Sequence, residues 1–282
     1  MTLEEVIQRT EKRFKAARLH YGHGTGSARD EAAFLVLRGL GLPFDADLEK
    51  NVDGKTVEDL VRRRIKERIP AAYLLNEAWL DGVKFYVDRR VIVPRSHIAF
   101  LLKDLRIAPR RILDLCTGSG CLAILAARAF PEARVDASDI SAAALAVARR
   151  NVREHKLSKR IRFFKSDLFE KLTASYDLII VNPPYVSSPA MRNLPPEYRH
   201  EPGLALAAGR HGLDLVARIL ADFGAHLNPG GLLVCEVGDG RRALERAYPR
   251  LRWRWPVPEV FILADARKAG ASRTPATRPR AK

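Results

Sequence analysis

A chain of 282 residues that is 47% hydrophobic is long enough to bury a sizeable core in one or two domains, which excludes a fibrous or wholly disordered protein. Its 49 Lys and Arg against 33 Asp and Glu leave a formal charge of +16, a balance that points to an acidic partner such as nucleic acid or a ribonucleoprotein. Three cysteines, Cys116, Cys121 and Cys235, are odd in number and lack paired metal spacing, which excludes a disulfide framework and gives no metal ligands.

No apolar run approaches the roughly 18 residues of a membrane span. The start, Met1-Thr2-Leu3-Glu4-Glu5, is acidic where a signal peptide is basic. A soluble, cytoplasmic protein is expected.

Residues 3–69 read as helical. Leu3, Val6, Ile7, Phe14 and Ala17 mark one amphipathic stripe, 31–40 carry a second, and Val57, Leu60, Val61 and Ile65 a third that Thr56 is expected to cap. Gly22-His23-Gly24-Thr25-Gly26 and Gly41-Leu42-Pro43 punctuate them, and His23 reads as a loop residue rather than a ligand. Over 79–93, Phe85, Val87, Val91 and Val93 alternate with polar residues around Asp88-Arg89-Arg90, the pattern of a β-hairpin.

From Arg111 the pattern becomes strand and helix in alternation. Strands are predicted over 111–115, 134–138, 161–165, 176–181 and 232–237, with helices over 121–130, 142–155, 213–227 and near 241–248. A turn at Asn228-Pro229-Gly230-Gly231 and a last strand pair around Trp253 and Phe261 complete the series. Such alternation means an α/β fold with a mostly parallel sheet covered on both faces. Residues 266–282 carry six basic residues and no acid, cannot bury apolar area, and read as a disordered basic tail. The body keeps about ten excess positive charges without them.

Chemistry gathers at strand ends. Asp114-Leu115-Cys116-Thr117-Gly118-Ser119-Gly120-Cys121 lies between a strand and a helix, where glycines admit a ligand's close approach and a helix amino terminus offers N–H groups to an anion. The spacing Gly118-x-Gly120-x-x-Ala123 also fits a dinucleotide pattern, and Asp139, nineteen residues after Gly120, suits a ribose diol in either reading. Asp114 favours S-adenosylmethionine over NAD, because a carboxylate ahead of the glycines repels a pyrophosphate and attracts an amino acid's ammonium. Asp167 and Leu168 follow the third strand and suit an adenine amino group and ring face; the bland reading is a helix cap and core. The strand over 176–181 stops at Asn182-Pro183-Pro184-Tyr185, since proline donates no hydrogen bond to a sheet. The diproline aims the Asn182 amide and the Pro183 carbonyl rigidly, a fork for a planar NH2 group, with Tyr185 as a flat wall. An ordinary strand-ending turn is the alternative.

Together, Asp114 to Gly120, Asp139, Asp167 and Asn182 to Tyr185 resemble a class I S-adenosylmethionine-dependent methyltransferase. Arg68-Ile69-Pro70-x-x-Tyr73-Leu74, Val93-Pro94-Arg95 and Arg199-His200-Glu201-Pro202 resemble the protein N(5)-glutamine methyltransferases. Tyr21-Gly22-His23-Gly24 and Glu197-Tyr198-Arg199-His200-Glu201-Pro202 are similar to the branch that methylates protein three of the large ribosomal subunit.

The resemblance implies a Rossmann-like seven-stranded sheet with an antiparallel last strand. It implies a helical substrate-binding domain over 1–78, a β-hairpin linker over 79–98, a catalytic domain over 99–265 and the tail. The cofactor set is Asp114, Cys116, Thr117, Gly118, Ser119, Gly120, Asp139, Asp167, Leu168 and Asn182, and Asn182, Pro183, Pro184 and Tyr185 grip the glutamine amide. The implied partner is a large-subunit ribosomal protein before or during assembly, with RNA contact through the basic surface and no membrane. Leu75-Asn76-Glu77 stands where the family has Thr-Gly-Glu. Two other classes remain open: an adenine or cytosine amino methyltransferase of nucleic acids, which shares the Asn-Pro-Pro-Tyr fork, and a ribosome-associated binding protein that has lost catalysis.

Overall fold

A computed structural model describes residues 1–264; the expected tail over 266–282 lies outside the described residues. The chain forms two compact units, Met1–Arg95 with Arg192–Ala205, and Ser96–Met191 with the residues from Leu206 onward.

In the first unit, α1 (Leu3–Ala16) starts at Thr2, whose side chain and that of Glu5 cap each other's backbone N–H groups, and it buries Leu3, Val6, Ile7 and Phe14. Ser27 caps α2 (Ala28–Gly39). The expected cap at Thr56 is not made. Asp53 accepts from Lys55 N and opens a short 3-10 turn, Gly54–Val57, which runs into α3 (Glu58–Lys66) without a side-chain cap.

After α4 (Ala71–Leu75) comes a left-handed residue, Asn76, at φ 51°. Asparagine tolerates this conformation better than other residues with a Cβ, so it can stand where the family has glycine, and its Nδ2 donates to Val87 O at 3.0 Å. The hairpin also differs from expectation. β1 (Ala78–Leu80) and β2 (Val83–Phe85) pair antiparallel around Asp81 and Gly82, both at positive φ, the two-residue turn that Asp-Gly favours. Val87, Val91 and Val93 are buried but lie outside any strand. Their alternation reflects burial alone, and side chains such as Tyr73, which donates from Oη to Val91 O at 2.5 Å, bond the backbone there.

Residues 192–205, which sequence placed with the catalytic part, pack in this first unit on two buried carboxylates. Glu197 accepts from His20 N at 3.1 Å, Arg64 Nη1 at 3.3 Å and Arg68 Nη1 at 3.4 Å. Glu201 accepts from Val93 N at 3.0 Å and takes a two-pronged grip from Arg95 at 2.6 and 2.7 Å. His23 does lie in a loop, but its side chain is buried, its ring 4.5 Å from that of Tyr198. Burial pulls its pKa down to about 4, so it is neutral near pH 7.

The second unit begins with the turn α5 (Ile98–Leu101). It continues through β3 (Arg111–Leu115), α6 (Cys121–Ala129), β4 (Arg134–Asp139), α7 (Ala142–Glu154), β5 (Ile161–Lys165) and β6 (Tyr176–Val181), then α8 (Ser188–Arg192), which ends one residue into the first unit. The remaining elements are α9 (Asp214–His226), β7 (Leu227–Glu236), α10 (Arg241–Ala247), β8 (Arg254–Val257) and β9 (Val260–Ala264). The sheet is seven-stranded in the order β5-β4-β3-β6-β7-β9-β8; β3 to β7 run parallel, and β9 is antiparallel to both β7 and β8. β7 begins earlier than expected, because the Asn228-Pro229-Gly230-Gly231 turn forms a register shift inside the strand.

Leu113, Ile179, Val181, Leu233 and Cys235 put one sheet face against Val216 and Ile219 of α9 and Leu244 of α10. The chain winds outward from β3 in both directions, so right-handed crossovers place α6 and α7 on the other face. The winding reverses between β3 and β6, where open α/β sheets hold ligands beyond the strands' carboxyl ends. Among the described residues no helix is long and apolar enough to cross a membrane.

Candidate active site

The loop after β3 is bent by three residues at positive φ, Cys116 at 59°, Gly118 at 54° and Gly120 at 80°. A Cβ on Gly120 would come within 3.1 Å of Ala148 Cβ on α7, whereas one on Gly118 would meet nothing within 4 Å. The first glycine therefore leaves open space and the second permits close packing.

Two carboxylates hold the loop. Asp114 Oδ2 accepts from the Thr117 hydroxyl, and from Ala123 N at 2.9 Å. Asp139 takes Gly118 N at 2.9 Å on one oxygen and Ser141 N at 2.8 Å on the other, stitching the loop after β3 to that after β4. Asn151, fully buried on α7, donates to Ser119 O at 2.8 Å.

Asp114 Oδ1 and Ser138 Oγ are buried without a hydrogen-bond partner, an expensive state unless something polar meets them. Burial pushes the Asp114 carboxyl up to about 7, and raises Asp139 as well. Burial and the nearby carboxylates push the Cys116 thiol up too, so it is neutral and contributes its backbone bend. After β5, Leu168 is buried at φ 46°, while Asp167 Oδ2 pairs with Arg218 at 3.0 Å, a partner that sequence did not suggest.

β6 spans the expected residues and Asn182 is the first beyond it. Val181 is in register with Cys235, so Asn182 emerges beside Glu236, the last residue of β7. Among the described residues none hydrogen-bonds the Asn182 carboxamide. Glu236 is buried and accepts from Ser96 Oγ at 2.5 Å and His97 N at 3.0 Å, which fixes the start of α5 to the end of β7. Tyr185 is seated on two glycines at positive φ. A Cβ on Gly238 would come within 3.0 Å of its ring, and one on Gly212 within 2.4 Å of its carbonyl oxygen. The next residue, Val186, exchanges backbone hydrogen bonds of 2.9 Å with Leu206 and Ala208.

Asp114, Cys116 to Gly120, Asp139 and Asn182 to Tyr185 thus converge at the carboxyl ends of β3, β4 and β6, with Asp167 and Leu168 following the edge strand. Sequence reasoning missed Asn151, Arg218, Glu236, Gly212 and Gly238. Two of these had a signal: Asn151 is a lone amide among Leu145, Val147, Ala148 and Val152 on the buried face of α7, and Glu236 is an acid at the end of a strand, as Asp139 is. The others act through the tertiary fold alone.

Residues 97–194 match the Methyltransferase small domain family. A ribosomal protein uL3 glutamine methyltransferase of Bordetella pertussis is 52% identical over 90% of this chain and 90% of its own length. One of Neisseria meningitidis is 46% identical over 90% of this chain and 88% of its own. Among solved structures, a methyltransferase from Pyrococcus furiosus matches 66% of this chain and 90% of its own at 18% identity and a TM-score of 0.49.

Proposed function

The chain belongs to the family of ribosomal protein uL3 glutamine methyltransferases, and from that premise we propose that it methylates the side-chain amide nitrogen of a glutamine in uL3, with S-adenosylmethionine as methyl donor, in the cytoplasm. The observation that carries the reading is the unpartnered Asn182 carboxamide at the sheet's switch point, next to a glycine loop whose Asp114 has a buried, unpartnered oxygen.

The residues present fit the donor. An ammonium satisfies Asp114 Oδ1, the open side of Gly118 admits a close approach, and Asp139 has lone pairs left for a ribose diol after its two backbone bonds. Asp167 and Leu168 sit where an adenine would be held, with Cys116, Thr117, Ser119 and Gly120 shaping the loop. When bound, S-adenosylmethionine supplies a methyl group made electrophilic by a sulfonium.

Asn182 and the Pro183 carbonyl accept the two N–H bonds of the glutamine amide. That grip holds the nitrogen in one orientation while Pro184 stiffens the turn and Tyr185 closes one side. Holding the nitrogen in line is the main contribution, because an amide lone pair is delocalised and reacts only when well aligned. The proton leaves to solvent after transfer, so no strong base is required.

Methyl transfer from labelled cofactor, followed by mass spectrometry of the products, tests the reading. A single modified glutamine on unassembled uL3 is expected, with free glutamine and naked DNA inert. A methyl group on adenine or cytosine, or no modified glutamine under any condition, overturns it.

Asp114 also sets a pH dependence. Its pKa of about 7 lies above the ordinary carboxyl value, so the neutral form is favoured in the fold; that stabilisation is full below about pH 4 and is lost as pH rises through 7. Pairing with an ammonium needs the charged form, so the sign for binding is opposite. Donor affinity is expected to rise about tenfold from pH 6 to pH 8 and then level off. Calorimetry of wild type and Asp114→Asn checks this: a flat wild-type profile removes Asp114 from the ammonium site.

A further inference from the structure

The connection from β5 to β6 has to pass β4 and β3, and it does so over residues 166–175 with turns and no helix. One part of the sheet face is left uncovered, and there a cavity of about 420 Å³ opens between the strands and Lys171, Leu172, Thr173 and Ala174, within the range of about 300–1,000 Å³ of small-ligand sites. Its floor is Asp136 of β4, which is 3% exposed. Arg162 grips Asp136 through Nε and Nη2 at 2.9 and 3.0 Å, Arg111 Nη2 reaches it at 3.4 Å, and Tyr176 Oη donates at 3.1 Å. Each guanidinium also lies over an aromatic ring, Arg162 above Phe164 at 5.6 Å and Arg111 above Tyr176 at 5.5 Å.

The two arginines are thus oriented from below by one carboxylate and from the side by stacking, while their side chains remain 63% and 43% exposed. Arg162 keeps Nη1 out of its grip on Asp136. With Lys171 at the rim, three cations face one buried anion, a surplus of two positive charges in a water-accessible hollow. Covering a bare sheet face asks only for apolar surface, whereas oriented forks with N–H groups to spare match phosphate oxygens. Asp136 is in the middle of β4 and Arg111 and Tyr176 begin their strands, so the cavity is set back from the carboxyl ends where the candidate active site is built.

We propose that this cavity is a phosphate-binding site for the phosphodiester backbone of RNA. The choice of RNA as the source rests on the ribosomal substrate proposed above, and is supported by the +16 charge of the chain, of which about ten positive charges lie outside the basic tail. In this role the pocket holds the enzyme against RNA without reading its sequence, since phosphate contacts position and do not specify.

The test is a fluorescence-anisotropy titration of a mixed-sequence single-stranded RNA against the full chain over a series of salt concentrations. It needs no methyl transfer, so it can fail or succeed independently of the proposed reaction. Arg162→Ala with Lys171→Ala is compared with Lys156→Ala with Lys159→Ala, which removes the same charge from exposed positions outside the cavity. The cavity pair is expected to weaken RNA binding about tenfold at about 0.1 M salt and to lower the salt slope by about 0.7 for each phosphate that the cavity no longer neutralises; the other pair is expected to weaken it less than about threefold. Donor binding, measured by calorimetry, is expected to be unchanged in both. Equal losses in the two pairs, no RNA binding by the wild type, or cavity-dependent binding to phosphatidylserine vesicles without RNA binding each overturn the proposal.

Discussion

Asn182→Ala is expected to lower kcat by at least about a hundredfold, or about 2.7 kcal/mol, while affinity for S-adenosylmethionine falls less than about threefold. The carboxamide is the first group beyond β6 and no described residue occupies its hydrogen-bonding capacity, so its removal disturbs no internal hydrogen bond. What disappears, on the proposed reading, is the acceptor that fixes the orientation of the substrate amide, and orientation is where most of the acceleration arises in a reaction without a strong base. On the proposed reading the donor relies mainly on other groups: the loop at Gly118, Asp114 and Asp139. A methyl-transfer assay beside calorimetry decides it. A rate loss under about tenfold, or a loss in donor affinity equal to the loss in rate, would show that Asn182 shapes the donor site instead of gripping the amide.

Arg64→Ala is expected to destabilise the first unit by about 3–5 kcal/mol, the cost of leaving buried charges unpaired. Arg64 is 0% exposed. It binds Glu31 through Nε, Glu197 through Nη1 at 3.3 Å and the His20 carbonyl through Nη2 at 2.9 Å. Both carboxylates are buried as well, and Glu197 lies in the segment 192–205 that arrives from far along the chain. Truncation therefore leaves the buried Glu31 without its cation, leaves Glu197 with Arg68 and the His20 N–H alone, and loosens that segment. Arg64→Lys keeps the charge without the planar fork and is expected to cost less. Urea denaturation followed by fluorescence compares the three proteins; a change below about 1 kcal/mol for Arg64→Ala would mean that the carboxylates are satisfied elsewhere.

The alternation of helix and strand beyond residue 111 was legible in the chain because each signal is local. Apolar runs, glycines after strands and prolines that cannot donate act within a few residues. The boundaries of β6, α6 and α7 agree with expectation to within a residue at either end. The stretch over 85–93 misled because burial at alternate positions resembles a strand. There the backbone polar groups are met by Tyr73 and Asn76, and the hairpin forms earlier, at Asp81-Gly82, whose two left-handed residues match the twist of the strands.

By itself the sequence determined the order of the elements, the glycine bend between β3 and α6, the stop at Asn182 and the acid that ends β4. Each depends on dihedral limits, missing donors or period, which neighbours in the chain impose. Tertiary structure alone decided that Glu197 and Glu201 anchor residues 192–205 to the first unit, that Gly212 and Gly238 seat Tyr185, that Arg218 takes Asp167, and that Arg111 and Arg162 converge on Asp136. In each of these a charge or a close approach is satisfied by a partner from a distant part of the chain. A buried carboxylate selects its partner by desolvation and geometry, and those exist only once the strands and helices have packed.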